Sequence, residues 1–457
     1  MNDLSLPEFN ILKKEGNKYD YLFTVELKKR PDFCIHCMWD EFTADMFEES
    51  KGKRFKVHET RERMVTDLDM HRKRVKIKII HKRYKCPLCG KTFFELLDSV
   101  DTNGKITKRL YEYLQEESLE PFRTFTDIAE DFGISSMTVR RAFDDYVKEK
   151  EQNRVLKAPR VIGIDEAHLN EIMRGVITDI ENKRLLEVLP NNTKRDVKKC
   201  IKSMDGYKNI EIACMDMATG YRYAMKELVP NAFCVIDKFH VIQCATKAME
   251  SVRVEYKKSL PIEERRLLMQ DRWILTSNKE DLKPKHIEKR NMWFERHTPL
   301  MIAYWLKEGL RDIYLLSKDR KEAFERYYEW ECAIPKDFTI FKEKVQDTIN
   351  DCKTEVFNYF LHRYTNAYTE SINNVIKKIE KVGVGYSFDV LRAKALYGTT
   401  ATEKPEWGTL QFYAMEHMAY KQNHEPILTI RTDYNNLIKG FGVDIFTLER
   451  LIDEGKF

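Results

Sequence analysis

Short apolar runs separated by polar helical segments form the most regular pattern in this chain, and they predict a mixed α/β protein. The run at 161–164 predicts a first central strand. Residues 174–180 and 184–189 predict a second and a third strand, joined by a polar turn. A surface helix is expected at 193–204, and a fourth strand at 210–215.

The predicted first and fourth strands each lead into an aspartate. An order of three strands, a helix and a further strand is that of the ribonuclease H fold, in which the first and fourth strands lie side by side. Asp165 follows the first run and Asp216 follows the fourth. Because the first residue beyond a buried strand emerges at the edge of its sheet, we expect the two carboxylates to converge.

A second charged cluster follows a predicted fifth strand. A helix at 221–228 and a strand at 232–236 precede Asp237 and His240. Asp237 competes with Asp216 for the position of the second carboxylate, and we favour Asp216 because the fourth strand should adjoin the first. His240 is expected to position a phosphate or orient a carboxylate; the alternative is an ordinary histidine at the start of a helix.

An amphipathic helix further along the chain carries a third carboxylate, Glu370. At about 100° per residue, its isoleucines share one face and Glu370 lies on the opposite, polar face. Asn366, one turn earlier, is placed on the same polar side and is a candidate to bind a water or a phosphate. Lys377 and Lys378 are candidates to hold a DNA backbone. An isolated helical glutamate is most often simply exposed, so the assignment of Glu370 depends on its context.

Two aspartates and a glutamate are a suitable ligand set for phosphoryl transfer. Mg²⁺ and Mn²⁺ prefer oxygen ligands, and two such ions that share a phosphodiester oxygen need several carboxylates nearby. The predicted catalytic and metal-binding residues are Asp165, Asp216 and Glu370. The accessory candidates are Asp237, His240 and Asn366. In the expected mechanism, water attacks a phosphodiester and the freed 3′ hydroxyl then attacks a target DNA.

Two C-x-x-C pairs predict a structural zinc site. Each pair has the spacing that lets both thiolates of a turn face one ion, and together they complete a tetrahedral four-sulfur set. The predicted ligands are Cys34, Cys37, Cys86 and Cys89. His36 and His81 are alternative ligands, and coincidental free thiols are the remaining interpretation. The other cysteines are scattered without pairing, as in a reduced cytosolic protein.

A strongly basic strand lies between the two cysteine pairs. Residues 71–85 read HRKRVKIKIIHKRYK, and the alternation of cations with apolar residues predicts one buried and one basic face. Such a face suits contacts with DNA phosphates, and the candidates are Arg72, Lys73 and Arg74. The alternative is a merely solvated face on a highly charged protein.

Residues 126–143 have the spacing of a helix-turn-helix. Ala129 permits a close helix crossing, Gly133 provides a left-handed turn and Ser135 caps the second helix. The side chains expected to enter a major groove are Ser136, Thr138, Arg140 and Arg141. A purely structural helical hairpin is the alternative. Residues 149–159 are expected to form a polar hinge into the next domain.

Composition limits the class of protein. A hydrophobic fraction of 42% excludes a disordered chain, and a length of 457 residues predicts about two to four domains. The net charge of +5 is too small to identify a partner. No apolar stretch is long enough to span a bilayer and the N-terminus lacks the pattern of a signal peptide, so we expect a cytoplasmic protein without a membrane partner.

Four further motifs follow the cysteine pairs and the helix-turn-helix. They are GIDEAH at 163–168, MDMATGYR at 215–222, PNAFCVIDKFHVI at 230–242 and YTESINNVIKKIEKVGVGY at 368–386. With these motifs the chain resembles bacterial insertion-sequence transposases of the ISL3 family over about residues 34–397, and the order of several motifs is more specific than any one.

The resemblance implies a zinc-binding N-terminal module, a helix-turn-helix and a DDE catalytic domain. Carried over by position, Asp165, Asp216 and Glu370 would be the catalytic triad. Asp237 and His240 belong to a further motif of the family.

The predicted fold class is α/β, with a ribonuclease H-like catalytic core and an all-α insertion, preceded by a zinc-binding β module and a helix-turn-helix domain. The expected boundaries are 1–100 for the zinc module, 101–155 for the helix-turn-helix, 156–242 for the first part of the core, 243–362 for the insertion, 363–397 for the catalytic helix and 398–457 for a tail of unknown role. The tryptophans of the insertion are expected to pack in its core; stacking of one on an unpaired base is the alternative.

The resulting functional prediction is a transposase that binds the terminal inverted repeats of an insertion sequence and catalyses metal-dependent cleavage and strand transfer. Its expected partners are double-stranded DNA, as transposon ends and as target, and further copies of the chain in a homodimer or higher oligomer. We expect it at the bacterial nucleoid. One alternative is a zinc-containing DNA-binding regulator derived from a transposase, against which the three carboxylates argue. The other is a structure-specific nuclease of the same fold, which only the family resemblance disfavours.

Overall fold

The computed structural model describes residues 4–40, 52–101 and 104–398. The chain divides into two compact units, residues 1–400 and 401–457, and the described residues belong to the first. The predicted tail at 398–457 therefore lies outside the described residues, apart from Gly398. No helix in these three described ranges is both long and apolar enough to cross a membrane.

The N-terminal part forms a sheet of five strands. In chain order they are β1 (Phe9–Gly16), β2 (Asp20–Leu27), β3 (Lys56–Met70), β4 (Lys73–Lys85) and β5 (Thr92–Phe94). The strands lie in the order β1-β2-β4-β3, with β5 paired to β4. The predicted basic strand is β4, and it begins later than expected because His71 and Arg72 have positive φ angles and form the turn from β3. Its apolar residues Val75, Ile77 and Ile79 are buried, as the alternation predicted.

Three helices follow: α1 (Lys108–Glu117), α2 (Phe125–Phe132) and α3 (Ser136–Asn153). The turn between α2 and α3 confirms the predicted helix-turn-helix. Gly133 ends α2 with φ of 60°, a conformation that glycine adopts at no steric cost, and the Ser135 side chain accepts from the backbone N–H of Thr138. Ala129 and Val139 are buried between the helices.

A second five-stranded sheet forms the centre of the molecule. Its strands are β6 (Val161–Leu169), β7 (Ile172–Asp179), β8 (Arg184–Val188), β9 (Ile212–Met215) and β10 (Phe233–Ile236), in the order β10-β9-β6-β7-β8. The helices α4 (Lys194–Ser203) and α5 (Thr219–Leu228) connect its later strands. The predicted neighbourhood of the first and fourth strands is confirmed, because β6 and β9 pair in parallel, with Ile164 opposite Met215.

One detail of β6 differs from the prediction. The strand does not end at Ile164 but continues through Asp165 to Leu169, because its antiparallel partner β7 extends alongside it and places Val176 opposite Asp165. Asp165 is therefore a residue within a strand, not the first residue beyond one. The shorter partner β9 ends at Met215, so Asp165 still emerges where the parallel pairing stops.

A long helical segment separates β10 from the last helices of the core. Its α-helices are α6 (Lys238–Tyr256), α7 (Ile262–Gln270), α8 (Arg272–Thr276), α9 (Pro284–Arg296), α10 (Thr298–Leu316), α11 (Arg320–Cys332), α12 (Thr339–Phe341), α13 (Asp347–Asp351) and α14 (Lys353–His362), with a π-helical turn at Lys342–Gln346. The apolar side chains of this segment and of the sheet form one continuous core, in which Leu300 and Val161 both take part. Trp293 and Trp330 are buried, and their indole N–H groups donate to Asp271 Oδ2 and to the Leu306 carbonyl.

The chain then returns to the sheet with α15 (Ala367–Val382) and α16 (Phe388–Ala393), followed by a π-helical turn at Lys394–Gly398. The three isoleucines of α15 are buried against β6 and β7, as the helical periodicity predicted. Residues Val390 and Ala393 of α16 pack into the core of the helix-turn-helix. The helix α16 thus packs directly against the helix-turn-helix.

The predicted polar hinge at 149–159 is not a loose connection. The helix α3 continues to Asn153, and Arg154 then donates to the Leu186 carbonyl and forms an ion pair with Glu187. Arg392 of α16 bridges Glu187 and Glu151 at 2.7 Å each. These charged groups are half-buried, and α3 is attached to the central sheet by a network of their ion pairs.

Candidate active site

Five acidic or imidazole side chains meet at the end of the central sheet where its parallel strands finish. Asp165 lies in β6, Asp216 directly follows β9, Asp237 directly follows β10, His240 lies in the first turn of α6, and Glu370 lies in the first turn of α15. Nε2 of His240 is 3.8 Å from Oε1 of Glu370 and 4.0 Å from Oδ1 of Asp165. We call these five residues the acidic cluster.

Asp237 is more closely associated with the glutamate than the sequence suggested. One ligand atom from each of Asp237, His240 and Glu370 lies within 4.8 Å of the other two, which is close enough for a shared metal ion. Asp216 lies beside Asp165 through the register of β6 and β9, and its Oδ1 accepts from the backbone N–H of Ala218 at 2.8 Å. Both candidates for the second carboxylate thus lie at the same end of the sheet, but Asp237 and not Asp216 is within metal-sharing distance of Glu370.

Burial and mutual repulsion raise the proton affinity of the cluster. Burial raises the pKa of Asp165 to about 6, and the negative charges of Asp216 and Glu370 add to this effect. Burial likewise raises the pKa values of Asp216, Asp237 and Glu370. Within the described part of the chain, none of the four carboxylates forms a salt bridge with a lysine or an arginine. The charges of Arg222 and Lys238 lower the pKa values of Asp216 and Asp237 without a direct ion pair, so the cations near the cluster do not offset the effect of burial.

These observations fit a divalent cation. Several carboxylate oxygens and an imidazole are suitable ligands for Mg²⁺ or Mn²⁺, and buried like charges are stabilised by a bound cation. Two buried polar atoms at the cluster, Nε2 of His240 and Oδ1 of Asn373, have no hydrogen-bond partner among the described residues. Buried polar groups without partners are rare in proteins, and a metal or its bound water is one way to satisfy them.

The structure adds Asn373 to the predicted site. Its Nδ2 donates to Oδ2 of Asp165 at 2.9 Å and to the backbone carbonyl of Glu166 at 3.3 Å. The donor holds the Asp165 carboxylate in one orientation. The feature of the sequence that indicates Asn373 as a site residue is its position one turn after Glu370, on the same face of the helix.

Asn366 differs from its predicted role. It is completely buried, its Nδ2 donates to the Ile164 carbonyl at 3.1 Å, and its Oδ1 accepts from the Thr369 hydroxyl at 2.6 Å. The side chain is committed within the protein and does not face solvent as a binder of water or phosphate would. Its backbone N–H donates to the Asp237 carboxylate, so it joins α15, β6 and the acidic cluster.

The close approach of α15 to β6 depends on Gly163. A Cβ at this position would lie 2.5 Å from the hydroxyl oxygens of both Thr178 and Thr369, far inside normal contact. Those two hydroxyls bond each other at 2.7 Å. The glycine therefore lets the helix that carries Glu370 come close enough for the polar contacts of Asn366.

Glu166 is a second residue that the sequence reasoning missed. Its Oε1 accepts from the Tyr221 hydroxyl at 2.9 Å and from Asn192 Nδ2 at 3.0 Å, and its charge contributes to the raised pKa of Asp216. It lies next to Asp165 in the GIDEAH motif, and this position is the sequence feature that could have identified it. The polar network of the site thus extends from β6 to α5.

The four cysteines of the predicted zinc site also come together. Each offers a sulfur within 4.8 Å of the others, and the Sγ atoms of Cys34 and Cys89 are 3.8 Å apart. Each pair forms a turn of the same type. The residue after the second cysteine, Met38 or Gly90, has a positive φ and donates its N–H to the carbonyl of Cys34 or Cys86, respectively. This arrangement of four thiols fits a tetrahedral zinc ion.

The two histidines that were alternative ligands have other partners. Nε2 of His36 lies 3.2 Å from the Thr92 carbonyl, and Nε2 of His81 lies 2.9 Å from the Glu95 carbonyl. The structure therefore gives no role in the sulfur cluster to either imidazole.

The start of α3 is the exposed part of the helix-turn-helix. Ser136 is exposed, Thr138 is half-buried and Met137, which the sequence reasoning did not single out, is 73% exposed. Arg140 pairs with Asp144 at 2.8 Å, and Arg141 pairs with Asp101 at 3.0 Å. Both arginines of the predicted DNA-contacting set thus have acidic partners within the protein.

Comparison with known proteins agrees with these features. Residues 162–395, just over half of the chain, match the ISL3 family model of DDE enzymes, which is described as a transposase. This chain belongs to the ISL3 transposase family. Residues 95–147 match the model of the helix-turn-helix domain of transposase family ISL3.

Two relatives illustrate the similarity. The transposase for insertion sequence element IS1001 of Bordetella parapertussis is 22% identical over 344 residues, which cover 72% of this chain and 82% of that protein. The transposase for insertion sequence element IS1557 of Mycobacterium tuberculosis is 25% identical over 258 residues, which cover 50% of this chain and 57% of that protein. A divalent metal is implied by membership of the DDE family, and DNA binding by the helix-turn-helix domain.

The basic face of β4 is largely neutralised inside this transposase. Arg74 pairs with Asp20 at 2.8 Å, Lys78 with Glu62 at 3.1 Å and Lys82 with Glu26 at 2.8 Å. Lys73 donates to the Asn17 carbonyl, and Lys76 to the Gly133 carbonyl at 3.1 Å. Lys73 and Arg74 thus have partners within their own sheet, and their contact with phosphates stays a prediction.

Three predicted DNA-binding cations remain accessible. Arg72 is exposed in the turn between β3 and β4. On α15, Lys378 is exposed and Lys377 is half-buried. The two lysines follow Glu370 on the same helix, so they lie on the element that also supplies an acidic ligand.

Proposed function

We propose that this transposase cleaves DNA at the ends of its insertion sequence and joins the freed 3′ ends to target DNA, with Asp165, Asp216 and Glu370 as catalytic carboxylates. The observation that carries the proposal is the convergence of buried and half-buried carboxylates at one end of the central sheet, with no ion pair to a lysine or arginine of the described residues. The strand order, with the first strand between the second and the fourth, supports a ribonuclease H-like core.

The carboxylates would hold two divalent cations, Mg²⁺ or Mn²⁺, which activate a water for attack on the phosphodiester and stabilise the leaving 3′ oxygen. Asn373 keeps the Asp165 carboxylate oriented for this task. Asp237 and His240 act as accessory residues beside Glu370. The nucleophiles are water and then the 3′ hydroxyl, so no covalent bond between protein and DNA is needed.

The N-terminal part would recognise the terminal inverted repeats. A zinc ion held by the four cysteines fixes the two turns, and the start of α3 enters a major groove with Ser136 and Thr138. Arg72, Lys377 and Lys378 contact phosphates, which adds affinity without sequence preference. Since two ends are cut together, the active form on DNA is at least a homodimer.

The domain boundaries proposed from the sequence need one refinement. Residues 243–362 form an all-α insertion in the chain order, but its apolar side chains and those of the central sheet belong to a single core. We therefore treat the insertion and the sheet as one folding unit, with residues 1–100 and 101–155 as the zinc and helix-turn-helix modules.

The test is cleavage of DNA that carries the ends of the element, in Mg²⁺, by the wild type and four variants. Asp165→Asn, Asp216→Asn and Glu370→Gln are expected to lower the rate by about 10³-fold or more, because each removes a metal ligand. Asp237→Asn is expected to have a smaller effect. Normal cleavage by Asp216→Asn together with an inactive Asp237→Asn would reverse the choice between the two aspartates.

The same assay separates the alternative functions. Cleavage of the ends without joining to a second DNA would identify a nuclease. Specific binding of the ends without any cleavage, by wild type and variants alike, would identify a regulator. Joined products that depend on Asp165 and Glu370 would support the transposase mechanism.

A further inference from the structure

An exposed phenylalanine lies at the rim of the acidic cluster. Phe239 occupies the first turn of α6, between Asp237 and His240, and is 51% exposed. Its ring packs edge-on against the ring of His240, with 5.8 Å between the centroids and an interplanar angle of 82°. About half of the side chain is therefore open to solvent next to a residue of the acidic cluster.

The distances place this ring within reach of the substrate. Nε2 of His240 is 3.8 Å from Glu370 and 4.0 Å from Asp165, so the imidazole connects Phe239 to the carboxylates. A phosphodiester bound at the cluster has its neighbouring nucleotides within a few ångströms, roughly one stacking distance per base. A phenyl ring beside His240 is therefore placed to reach a nucleotide that flanks a phosphate bound at the cluster.

Resting on the proposed function, we propose that Phe239 binds the DNA substrate by stacking against an unstacked base next to the scissile phosphate. The face of every base is apolar and polarisable, so a phenyl ring can stack on it without a preference for sequence. Phenylalanine also inserts between base pairs in proteins that open or kink DNA. The contact would hold the strand in register while the acidic cluster acts on its phosphate.

The aromatic residues of the helical insertion are less suited to this role. Trp293 and Trp330 are buried and bonded in the core. Trp273 and Trp305 are 43% and 47% exposed, so the predicted core packing is wrong for these two. Trp273 packs on His286, and Trp305 contacts Phe294 and Tyr304. Phe239 lies nearer in sequence to Asp237 than the four tryptophans do, and it shares a helical turn with His240.

The chain offers a matched control at the other end of β10. Phe233, the first residue of that strand, is 46% exposed and also packs on a histidine, His362, with 4.7 Å between the ring centroids. It therefore resembles Phe239 in exposure and in packing. Asp237 follows the opposite end of the same strand, so Phe233 lies away from the acidic cluster.

The experiment compares Phe239→Leu, Phe233→Leu and the wild type in cleavage of DNA that carries the element's ends. A parallel set of DNAs has one nucleotide beside the cut replaced by an abasic residue, at each position in turn. Phe239→Leu is expected to cleave intact DNA about tenfold more slowly, the effect of losing one stacked base. On DNA that lacks the contacted base, the difference from wild type is expected to fall below about twofold, because the partner of the ring is already absent.

Two other outcomes would overturn the inference. An equal loss by Phe239→Leu on every abasic DNA would mean that the ring only positions His240. Unchanged cleavage by Phe239→Leu, or an equal loss by Phe233→Leu, would remove the contact altogether. Asp165→Asn serves as the inactive reference, and its normal activity would contradict the proposed function itself and not the role of Phe239.

Discussion

The acidic cluster and the basic face of β4 are both groups of like charge, but the molecule treats them differently. On β4, Arg74, Lys78 and Lys82 each have an acidic partner in a neighbouring strand. At the acidic cluster, four carboxylates meet beside His240 without an ion pair to any lysine or arginine of the described residues, and burial raises their pKa values. A charged group that is neutralised within the fold needs no ligand, whereas one that is not costs stability until something binds.

This difference shows that the most visible charge pattern in a sequence need not mark a binding site. The alternating cations of β4 are the more conspicuous pattern, yet they serve mainly to join strands and to hold the turn of the helix-turn-helix. The carboxylates are distant from one another in the chain and become a cluster only in the fold. Substitutions in the acidic cluster are therefore expected to lower activity and raise stability. Substitutions of the paired cations on β4 are expected to have small effects on both.

The largest effect is expected at the four cysteines, which form the other cluster of possible metal ligands. Cys86→Ser should remove the zinc ion and unfold the N-terminal module, since binding energy at such sites is on the order of 10 kcal/mol. Zinc content and protease resistance of residues 1–100 measure this. Cys332→Ser, at an exposed cysteine far along the chain, is the matched control. A full equivalent of zinc in Cys86→Ser would contradict the assignment.

Lys394 extends the comparison to a buried cation that backbone carbonyls hold. Lys394 is completely buried and donates to the carbonyls of Ser118, Glu120 and Arg123 at 2.6 to 3.1 Å. Lys394→Met leaves these carbonyls without their donor and should lower the free energy of unfolding by about 3 kcal/mol. Urea denaturation measures the change, with the exposed Lys381→Met as control. Equal stabilities of the two variants would show that the contact is dispensable.

Removing one charge from the acidic cluster should stabilise the metal-free protein. The pKa of Asp165 is about 6 in the folded state and about 3.9 when unfolded, so stability falls as the pH rises from about 4 to 6, and the full cost is present above pH 6. Asp165→Asn should raise the free energy of unfolding by about 2 kcal/mol at pH 7 in EDTA. Below about pH 4 the aspartate is protonated in both states, and the gain should vanish. A constant gain at all pH values would point to packing instead of charge.

The smallest effect is expected from the paired cations of β4. Lys82→Gln should leave the salt dependence of DNA binding unchanged and cost less than about 1 kcal/mol of stability, because its charge is matched by Glu26. Lys378→Gln, at an exposed lysine on α15, should lower the slope of log affinity against log salt by about one. Equal slopes for the two variants would remove the distinction between paired and accessible cations.

Much of the fold could be predicted because its strands are continuous apolar runs. The pairing of β6 with β9 followed from the strand order, and the helix-turn-helix from Ala129, Gly133 and Ser135. The extension of β6 past Asp165 could not be predicted, since it depends on hydrogen bonds to β7 across a turn and not on hydrophobicity.

The details of the site were less accessible to sequence reasoning. The helical periodicity placed Asn366 on the polar face of the helix, where a side chain is normally exposed. It is buried because Gly163 lets α15 approach β6 closely. The acidic partners of β4 lie on other strands, more than fifty residues away in the case of Arg74 and Asp20. Such pairings depend on strand order, which the local pattern of the N-terminal part did not reveal.

Binding of Mn²⁺ to the purified, zinc-loaded protein without DNA tests the central claim most directly. If the carboxylates are left without a partner because they hold divalent cations, the wild type binds Mn²⁺ in calorimetric titration. The variant with Asp165→Asn and Glu370→Gln together should lose at least about tenfold in affinity, whereas Lys82→Gln should not. Equal Mn²⁺ binding by the double variant and the wild type would contradict the account.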